Sequence, residues 1–267
     1  MPRKLLFVTC VGACVLVVGV FVFFGNRRLS SESNRSAQHT VSSRSNGGST
    51  MLLIFSRTTG YRHASIENGI AAIRQLGVEH HVEVQASEDS AVFTDENLAR
   101  YQAVIFLSTT GNILDDAQKA AFERYIHAGG GYVGIHSASD TEYSWAWYGQ
   151  LVGAYFKSHP KIAQATVHVE DAHTSSTSML PAQWVRTDEW YNFRQNPRAH
   201  VHVLLTLDES TYQGGEMGQD HPIAWYHDFD GGRSWYTGMG HTPESFSEPL
   251  FLAHLWGGIS YAAGLKQ

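Results

Sequence analysis

Four short segments between residues 51 and 135 have the composition of strands: Met51–Ser56, His81–Gln85, Ala103–Leu107 and Tyr132–Ile135. Most of them are nearly continuous apolar runs, which is typical of strands covered by other elements on both faces. Segments with helical spacing separate these strands along the chain. Because alternation of strands and helices implies parallel pairing, the pattern predicts an α/β fold with a doubly wound sheet.

Helices are predicted between these strands and near the end of the chain. The first carries isoleucines at helical spacing and is expected to end near Gly77, and the last runs to about Ala263. The starts of the other helices are marked by a capping hydroxyl, a capping carboxylate and a proline in a permitted first-turn position. The predicted helix starts are Ile66, Thr94, Asp115 and Pro249.

Beyond residue 150 the pattern changes to strands without regular intervening helices. The segments Ala165–Val169, Val201–Leu207, Ile223–Phe229 and Arg233–Thr237 have strand character. The last two flank Asp230-Gly231-Gly232, which is a strong hairpin signal. The sequence therefore predicts extra C-terminal β strands added to the doubly wound sheet.

The N-terminus has the pattern of a membrane anchor. Residues 5–24 are apolar except for Thr9, and a helix of this length spans the roughly 30 Å core of a bilayer. A cleaved signal peptide or a lipoprotein box at Cys14 fits less well, since the run is long and ends in Phe-Phe-Gly-Asn-Arg-Arg. We predict a transmembrane signal-anchor at 1–25, a Ser-rich flexible linker at 26–50 and one folded domain at 51–267. Short anchors of this kind usually leave the tail inside, so the domain is expected in the periplasm or outside the cell.

Charge and cysteine content exclude two classes of function for the folded part. Residues 51–267 contain 13 basic and 24 acidic residues, a net charge of −11, which would repel a nucleic acid backbone. Both cysteines, Cys10 and Cys14, precede residue 50. The domain therefore has neither a cysteine nucleophile nor a thiolate metal site.

Polar and aromatic residues collect where the predicted elements end. In an open parallel sheet, ligands bind beyond the carboxyl ends of the strands, so residues at these positions are expected to meet. One histidine after a strand is more often a loop hydrogen-bonding residue than a catalyst, but His63 and His136 at adjoining strand ends favour a functional role. The candidates are Tyr61, Arg62, His63, Asn112, His136, Asp140, His159, Glu189, Tyr191, His221 and His241.

Five motifs in order along the chain resemble the ThuA-like family, which is named for trehalose utilisation. They are GYRH at 60–63, GGGYVGIHSASD at 129–140, DEWYNF at 188–193, DHPIAW at 220–225 and GMGHTPESF at 238–246. The resemblance implies a flavodoxin-like, three-layer sandwich of the class I glutamine amidotransferase-like superfamily. It also implies a role in carbohydrate metabolism, with oxidised 3-keto sugars among the candidate substrates.

The chain departs from true amidotransferases at the residue that decides their chemistry. Those enzymes carry a nucleophilic Cys in G-x-C-x-G, and the corresponding stretch here is Gly134–Ala138 with His136 at the nucleophile position. A neutral imidazole cannot replace a thiolate in forming a thioester, so glutaminase activity is excluded. Ser137 lies one place past this turn and is disfavoured as a substitute.

The leading hypothesis is an enzyme that acts on a keto-sugar or its glycoside by acid–base chemistry. His136 or His63 would move a proton near neutral pH, while Asp140 and Glu189 would act as a second acid or base or orient the histidines. The expected substrate-binding residues are Arg62, Tyr61, Asn112, Tyr191, His221 and His241.

Two alternatives remain open at this stage. The histidines, including His159, together with Asp140 or Glu189, supply enough N and O ligands for a divalent metal, although no H-x-x-x-H spacing supports one. The other alternative is a non-catalytic, membrane-tethered carbohydrate-binding or scaffolding module, which needs aromatic and hydrogen-bonding groups but no titrating residue.

Overall fold

The computed structural model describes residues 50–265. The predicted anchor at 1–25 and all of the predicted linker except Thr50 lie outside the described residues. Within residues 50–265, no helix combines the length and the apolar character needed to cross a bilayer. The membrane anchor stays a prediction.

Four parallel strands form the first half of the sheet, and they confirm the doubly wound prediction. They are β1 (Met51–Phe55), β2 (Glu83–Ser87), β3 (Ala103–Leu107) and β4 (Gly131–Ile135). Their spatial order is β2-β1-β3-β4, so β1 lies inside the sheet and later strands pair on both sides of it. This is the beginning of the flavodoxin-like order.

The remaining strands extend the same sheet to nine strands and add a separate pair. Along the chain these strands are β5 (Phe156–Ser158), β6 (Ala163–Val169), β7 (Gln183–Asp188), β8 (Asn192–Phe193), β9 (His202–Asp208), β10 (Pro222–Phe229) and β11 (Gly232–Thr237). Strand β11 pairs parallel with β4 and so takes the fifth position of the flavodoxin-like order. Strands β10, β9, β6 and β7 follow in antiparallel pairing, while β5 pairs with β8. The predicted hairpin of β10 and β11 and the extra C-terminal strands are confirmed.

In the described part of the chain, five α-helices cover the two faces of the sheet: α1 (Ile66–Glu79), α2 (Asp95–Leu98), α3 (Asp116–His127), α4 (Ala146–Val152) and α5 (Pro249–Ala263). On β4, Tyr132 contacts Phe122 of α3 and Tyr148 of α4, whereas its neighbour Gly131 faces Ala262 of α5. Because successive strand residues point to opposite faces, helices lie on both sides, as a three-layer sandwich requires.

Some boundaries differ from the sequence prediction. Helix α1 continues past Gly77 to Glu79, and β2 begins at Glu83 instead of His81. His81 has a φ of 59°, and the Val82 amide donates to the Gly77 carbonyl, so this segment is the turn that ends the helix. The predicted caps at Thr94 and Asp115 are confirmed, the latter as a capping box with Gln118. Strands β5, β7 and β8 and helix α4 were not predicted.

A buried carboxylate ties the loop after β3 to the segment that follows β4. The side chain of Glu142 is fully buried, and its Oε1 accepts hydrogen bonds from the backbone amides of Ile113 (2.7 Å) and Leu114 (2.9 Å). Its Oε2 lies 2.7 Å from Nζ of Lys119. These loops carry polar residues of the strand ends, so Glu142 helps to shape that edge of the sheet.

We expect Glu142→Gln to lower the free energy of unfolding by about 1–3 kcal/mol, since the charge-assisted bonds become neutral and Lys119 loses its partner. Urea unfolding measures the change. The matched control is Glu216→Gln, which removes an exposed ion pair with Lys157 and should change stability by less than about 1 kcal/mol. Equal effects of the two substitutions would contradict this role for Glu142.

A second stability prediction concerns pH. His254 of α5 is fully buried between the Ser176 carbonyl (2.8 Å) and the Thr237 hydroxyl (3.3 Å), and burial lowers its pKa to about 3. Between pH 6.5 and 3 the unfolded chain therefore binds a proton that the folded chain does not. Stability falls as the pH falls through this window, by about 2 kcal/mol at pH 5 from this group.

Unfolding titrations at pH 7.5 and pH 5 test this expectation. His254→Gln should reduce the difference between the two pH values, even if it lowers stability at both. The control His173→Gln changes an exposed histidine and should leave the difference as it is in the unmodified chain. An unchanged difference in His254→Gln would show that this group does not cause the acid sensitivity.

Candidate active site and metal centre

Three histidines meet at the carboxyl end of the parallel strands. His63 lies in the loop between β1 and α1, His136 directly follows β4, and His241 lies in the turn after β11. His136 has a φ of 51°, an uncommon conformation for a non-glycine residue, and its ring is fully buried. The tight turn after β4 thus directs an imidazole to this edge of the sheet.

Glu189 completes a quartet with these histidines, which we call the His/Glu quartet. One ligand atom from each of His63, His136, Glu189 and His241 lies within 4.8 Å of the other three. Nε2 of His136 is 3.1 Å from Nδ1 of His241, and Oε2 of Glu189 lies 3.0 Å from the latter and 3.5 Å from the former. The three atoms form a nearly equilateral triangle.

The quartet fits a divalent metal in both dimensions and chemistry. A tetrahedral zinc ion with ligand bonds of about 2.0–2.1 Å has ligand atoms roughly 3.3–3.5 Å apart, close to the edges of the triangle. Three histidines and one carboxylate are N and O ligands that suit zinc and similar ions. Catalytic zinc sites use three protein ligands, and His63 supplies a fourth candidate beside the triangle.

Backbone contacts fix the orientation of His136. Its Nδ1 lies 2.9 Å from the carbonyl oxygen of Gly238, which only accepts hydrogen bonds, so Nδ1 carries the proton. Nε2, the other ring nitrogen, faces the quartet. A ligand histidine that donates its other N–H to a carbonyl is the usual outer-shell arrangement of metal sites.

His63 is held as a neutral ring. It is 5% exposed, and its Nδ1 lies 3.2 Å from the Ser137 hydroxyl. Burial, followed by the nearby rings of His136 and His241, lowers the pKa of His63 to about 3. The ring therefore stays deprotonated at neutral pH, as a metal ligand must be, and a pKa this low makes His63 a weak general base.

Glu189 and His241 form the charged part of the quartet. Burial acts to raise the pKa of Glu189, but the hydrogen bonds and charges of His136 and His241 outweigh it and hold that pKa well below its usual range. Burial lowers the pKa of His241, while the hydrogen bond and the negative charge of Glu189 raise it overall. The carboxylate is thus ionised and available as a ligand or an electrostatic partner.

A second acidic residue, Asp188, holds together the two chain segments that carry Glu189 and His241. It is fully buried, and its Oδ1 accepts from the backbone amides of Glu189 (2.9 Å) and His241 (3.0 Å). Its Oδ2 accepts from the Gly240 amide (2.8 Å) and lies 3.2 Å from a guanidinium nitrogen of the buried Arg186. The relative position of Glu189 and His241 therefore depends on Asp188.

The quartet opens into a hollow of about 340 Å³, which we call the active hollow. This volume is near the lower end of the range for small-molecule sites, about 300–1,000 Å³. Its lining residues are Tyr61, His63, Asp140, Phe156, His159, Glu189, Tyr191 and His241. Tyr61 is 66% exposed, so it offers an aromatic face to an incoming ligand.

Asp140 is the acidic group of the active hollow that is suited to proton transfer. The Tyr143 hydroxyl donates to Oδ1 of Asp140 at 2.5 Å. Burial raises the pKa of Asp140, with the Tyr143 hydrogen bond acting in the opposite direction. The pKa of Asp140 is thus closer to neutral pH than the pKa of an exposed carboxylate.

Eight of the eleven sequence candidates lie at the quartet or in the active hollow: Tyr61, His63, His136, Asp140, His159, Glu189, Tyr191 and His241. Nδ1 of His159 lies 3.0 Å from Oε1 of Glu189, although its side chain is 44% exposed. Tyr191 is buried, with its ring centroid 4.2 Å from that of His136. The candidate ligand His159 is thus a rim contact of the carboxylate, outside the quartet.

Three candidates lie elsewhere. Arg62 is directed to Glu67 (3.0 Å) and Glu88 (2.8 Å) in an exposed ion-pair network. Asn112 is exposed, and its backbone carbonyl accepts from the Thr59 hydroxyl. His221 is fully buried, where it contacts Glu209 and the backbone carbonyl of Tyr191 (2.8 Å). His221 therefore helps to position the backbone of Tyr191 through this contact.

The sequence placed Asp188 in the polar cluster but gave it no role, and it gave no sign of Phe156 or of the contact of Ser137 with His63. Asp188 stands next to Glu189 in the sequence, but the adjacency does not reveal that its carboxylate accepts amides from a loop some 50 residues later. Ser137, disfavoured as a nucleophile, hydrogen-bonds the ring of His63. Phe156 belongs to β5, which pairs with β8 at only two positions. Strands this short do not show a recognisable alternation of apolar and polar residues.

Comparison with known proteins gives the family. The ThuA family, described as trehalose utilisation, matches residues 51–262. A ThuA-like protein from Bacteroides uniformis is 24% identical, covers 80% of this chain and 91% of its own, and superposes with a TM-score of 0.68. One from Parabacteroides merdae is 18% identical over 81% of this chain and 90% of its own, also with a TM-score of 0.68.

More distant structures share the fold alone. A β-galactosidase from Bacillus circulans sp. alkalophilus is 12% identical, with a TM-score of 0.55 over 82% of this chain and 31% of its own. No curated protein sequence matches the chain significantly. The flavodoxin-like sheet, the ordered motifs and the family match over most of the chain agree, and the chain belongs to the ThuA family, which is linked to trehalose utilisation.

Proposed function

We propose that the chain is a carbohydrate-processing enzyme that holds a divalent metal, with zinc as the simplest fit, at the His/Glu quartet. The observation that carries the proposal is the triangle of His136 Nε2, His241 Nδ1 and Glu189 Oε2, with edges of 3.0–3.5 Å. The sugar substrate class comes from the family, and a keto-sugar or its glycoside is the proposed substrate. A bound metal supplies Lewis-acid polarisation of a substrate oxygen.

The chain's own residues supply binding and proton transfer. Asp140 faces the active hollow with a raised pKa and would take or give a proton beside the polarised group. Tyr61 offers an aromatic face for the apolar side of a sugar ring, and Tyr191 also lines the hollow. Abstraction of a proton beside a ketone, leading to isomerisation or elimination, needs only these residues and no covalent intermediate.

The exposed ring of Tyr61 also favours a second candidate, a carbohydrate-binding module without catalysis. An aromatic side chain that is 66% exposed at the rim of a hollow is typical of sugar recognition in either case. The quartet distinguishes the two, because a binding module needs neither a metal nor a neutral buried histidine such as His63.

The test uses the full-length chain purified in mild detergent without added metal. We expect close to one divalent metal per chain by elemental analysis, and turnover of at least one sugar from a panel of 3-keto and ordinary disaccharides. His136→Ala should lose both, whereas the control His173→Ala, an exposed histidine, should keep both. A metal-free chain whose turnover is the same with His136→Ala would overturn the proposal, and binding without any product would favour the module.

A further inference from the structure

A second and larger hollow of about 630 Å³ lies beside α4, and we call it the α4 hollow. Its lining comes from α4, from the end of β10 and from the chain after β8. Its volume lies in the middle of the range for small-molecule sites, about 300–1,000 Å³. The α4 hollow shares none of its lining residues with the active hollow.

Small residues and aromatic rings form the apolar part of the α4 hollow. Ala146 is exposed at the start of α4 and contributes only a methyl group, while Gly149 and Gly153 contribute backbone to the lining. A Cβ at Gly149 would lie only 2.5 Å from the ring of Tyr155, so this ring packs directly on the helix backbone. Tyr155 and Phe229 together give the hollow the aromatic surface that suits the apolar face of a sugar ring.

The polar lining supplies both donors and acceptors. Gln150 and Gln195 are amides, which donate and accept, and Arg194 adds donors and a positive charge. Asp228 also belongs to the lining, but its Oδ1 accepts from the hydroxyl of Tyr261 in α5, on the other face of the sheet. His227 is a further polar group, and within the described residues neither of its ring nitrogens has a hydrogen bond of ordinary geometry. Burial lowers the pKa of His227, with the Leu151 backbone acting in the opposite direction, so the ring is neutral.

This combination selects one class of ligand. A cation would meet Arg194, whereas a fully apolar ligand would leave the amides unpaired. Hydroxyl groups both donate and accept, so a polyhydroxylated ring satisfies the amides and the guanidinium together. We propose that the α4 hollow is a second carbohydrate-binding site of this chain.

One wall of side chains separates the two hollows. Tyr155 and Arg194 line the α4 hollow, while their neighbour Phe156 lines the active hollow. Arg194 stacks on the ring of Tyr143, with its guanidinium carbon 3.8 Å from the ring centroid, and Tyr143 donates to Asp140. The α4 hollow is thus placed to hold a second sugar next to the proposed reaction site, and the proposal rests on the proposed function only for the choice of sugar.

Equilibrium dialysis of the full-length chain with radiolabelled trehalose tests the proposal. We expect two saturable sites per chain, and one site in Ala146→Phe, which places a ring in the α4 hollow from an exposed position at the start of α4. The matched control Ser144→Phe adds the same ring two residues earlier, outside the lining, and should keep both sites. Gln150→Ala combined with Gln195→Ala should weaken one site at least about tenfold, since two exposed amides that line the α4 hollow are lost as hydrogen-bonding partners of the ligand.

The outcomes separate this proposal from the proposed function. Trehalose binding that Tyr61→Ala removes and Ala146→Phe leaves unchanged would overturn the α4 site while keeping the active hollow as a sugar site. Binding that Ala146→Phe removes and Tyr61→Ala leaves unchanged would keep the α4 site and count against the active hollow. The absence of saturable trehalose binding in the unmodified chain would overturn the α4 site as stated. Circular dichroism confirms that each variant is folded.

Discussion

Glu189→Gln is expected to abolish metal retention and to reduce turnover at least about a hundredfold, since the loss of an outer-shell partner alone typically costs about 10–100-fold. The substitution keeps the size of the side chain but removes the negative charge that lies 3.0 Å from His241 and 3.5 Å from His136. An amide oxygen is a weak ligand beside two imidazoles, and the pKa of His241 loses the interaction that raises it. Elemental analysis and turnover of the active sugar measure the two effects.

Glu216→Gln is the matched control for Glu189→Gln. Glu216 forms an exposed ion pair with Lys157 at 2.9 Å, so its replacement changes the net charge equally without touching the active hollow. It should retain metal and turnover. If Glu189→Gln kept a full complement of metal, the quartet would not be the metal site, and the histidines would have to act without one.

The parallel half of the fold was predictable because its residues repeat a simple physical pattern. Strands β1, β3 and β4 are covered by helices on both faces, so their sequences are nearly continuous apolar runs. The carboxyl ends of such strands meet at one edge, and this rule alone was enough to predict that His63 and His136 would be neighbours. Their ring centroids lie 4.7 Å apart.

Strand β7 was missed because its buried face is polar. Trp184, Arg186 and Asp188 point inward, while the apolar Val185 is 57% exposed, so the usual alternation is inverted. The inward charges are satisfied by partners distant in sequence, which a local pattern cannot show. The same reason explains why Asp188 was not identified as the residue that organises the quartet.

The candidates that lie outside the active hollow were chosen by position along the chain, which does not fix side-chain direction. Arg62 immediately precedes His63, yet it extends to Glu67 and Glu88 on the surface. His221 follows the same motif logic, but its ring is directed inward to Glu209. Adjacent residues in a loop often point to opposite sides. A motif therefore predicts which loop lies near a site better than it predicts which side chains of that loop belong to the site.

Asp188→Ala is expected to lower the free energy of unfolding by about 3–5 kcal/mol, the usual cost of breaking a buried ion pair by removing one partner. Three backbone amides, those of Glu189, Gly240 and His241, would lose their acceptor. Arg186 would retain Glu248, 3.1 Å away, as its carboxylate partner. Because the amides belong to the segments that carry Glu189 and His241, metal affinity should fall together with stability.

Urea unfolding with and without a chelator separates the two consequences of Asp188→Ala. The loss of stability should be present in the chelated protein, where metal binding makes no contribution, and the extra stabilisation by metal should be smaller than in the unmodified chain. Glu248→Gln is the matched control, because it alters the other carboxylate partner of Arg186 at a position that is 30% exposed, with no contact to the amides. It should cost about 1 kcal/mol and leave the stabilisation by metal unchanged. Equal losses in the two variants would mean that Asp188 acts only through Arg186, and that the amides of the quartet segments do not depend on it.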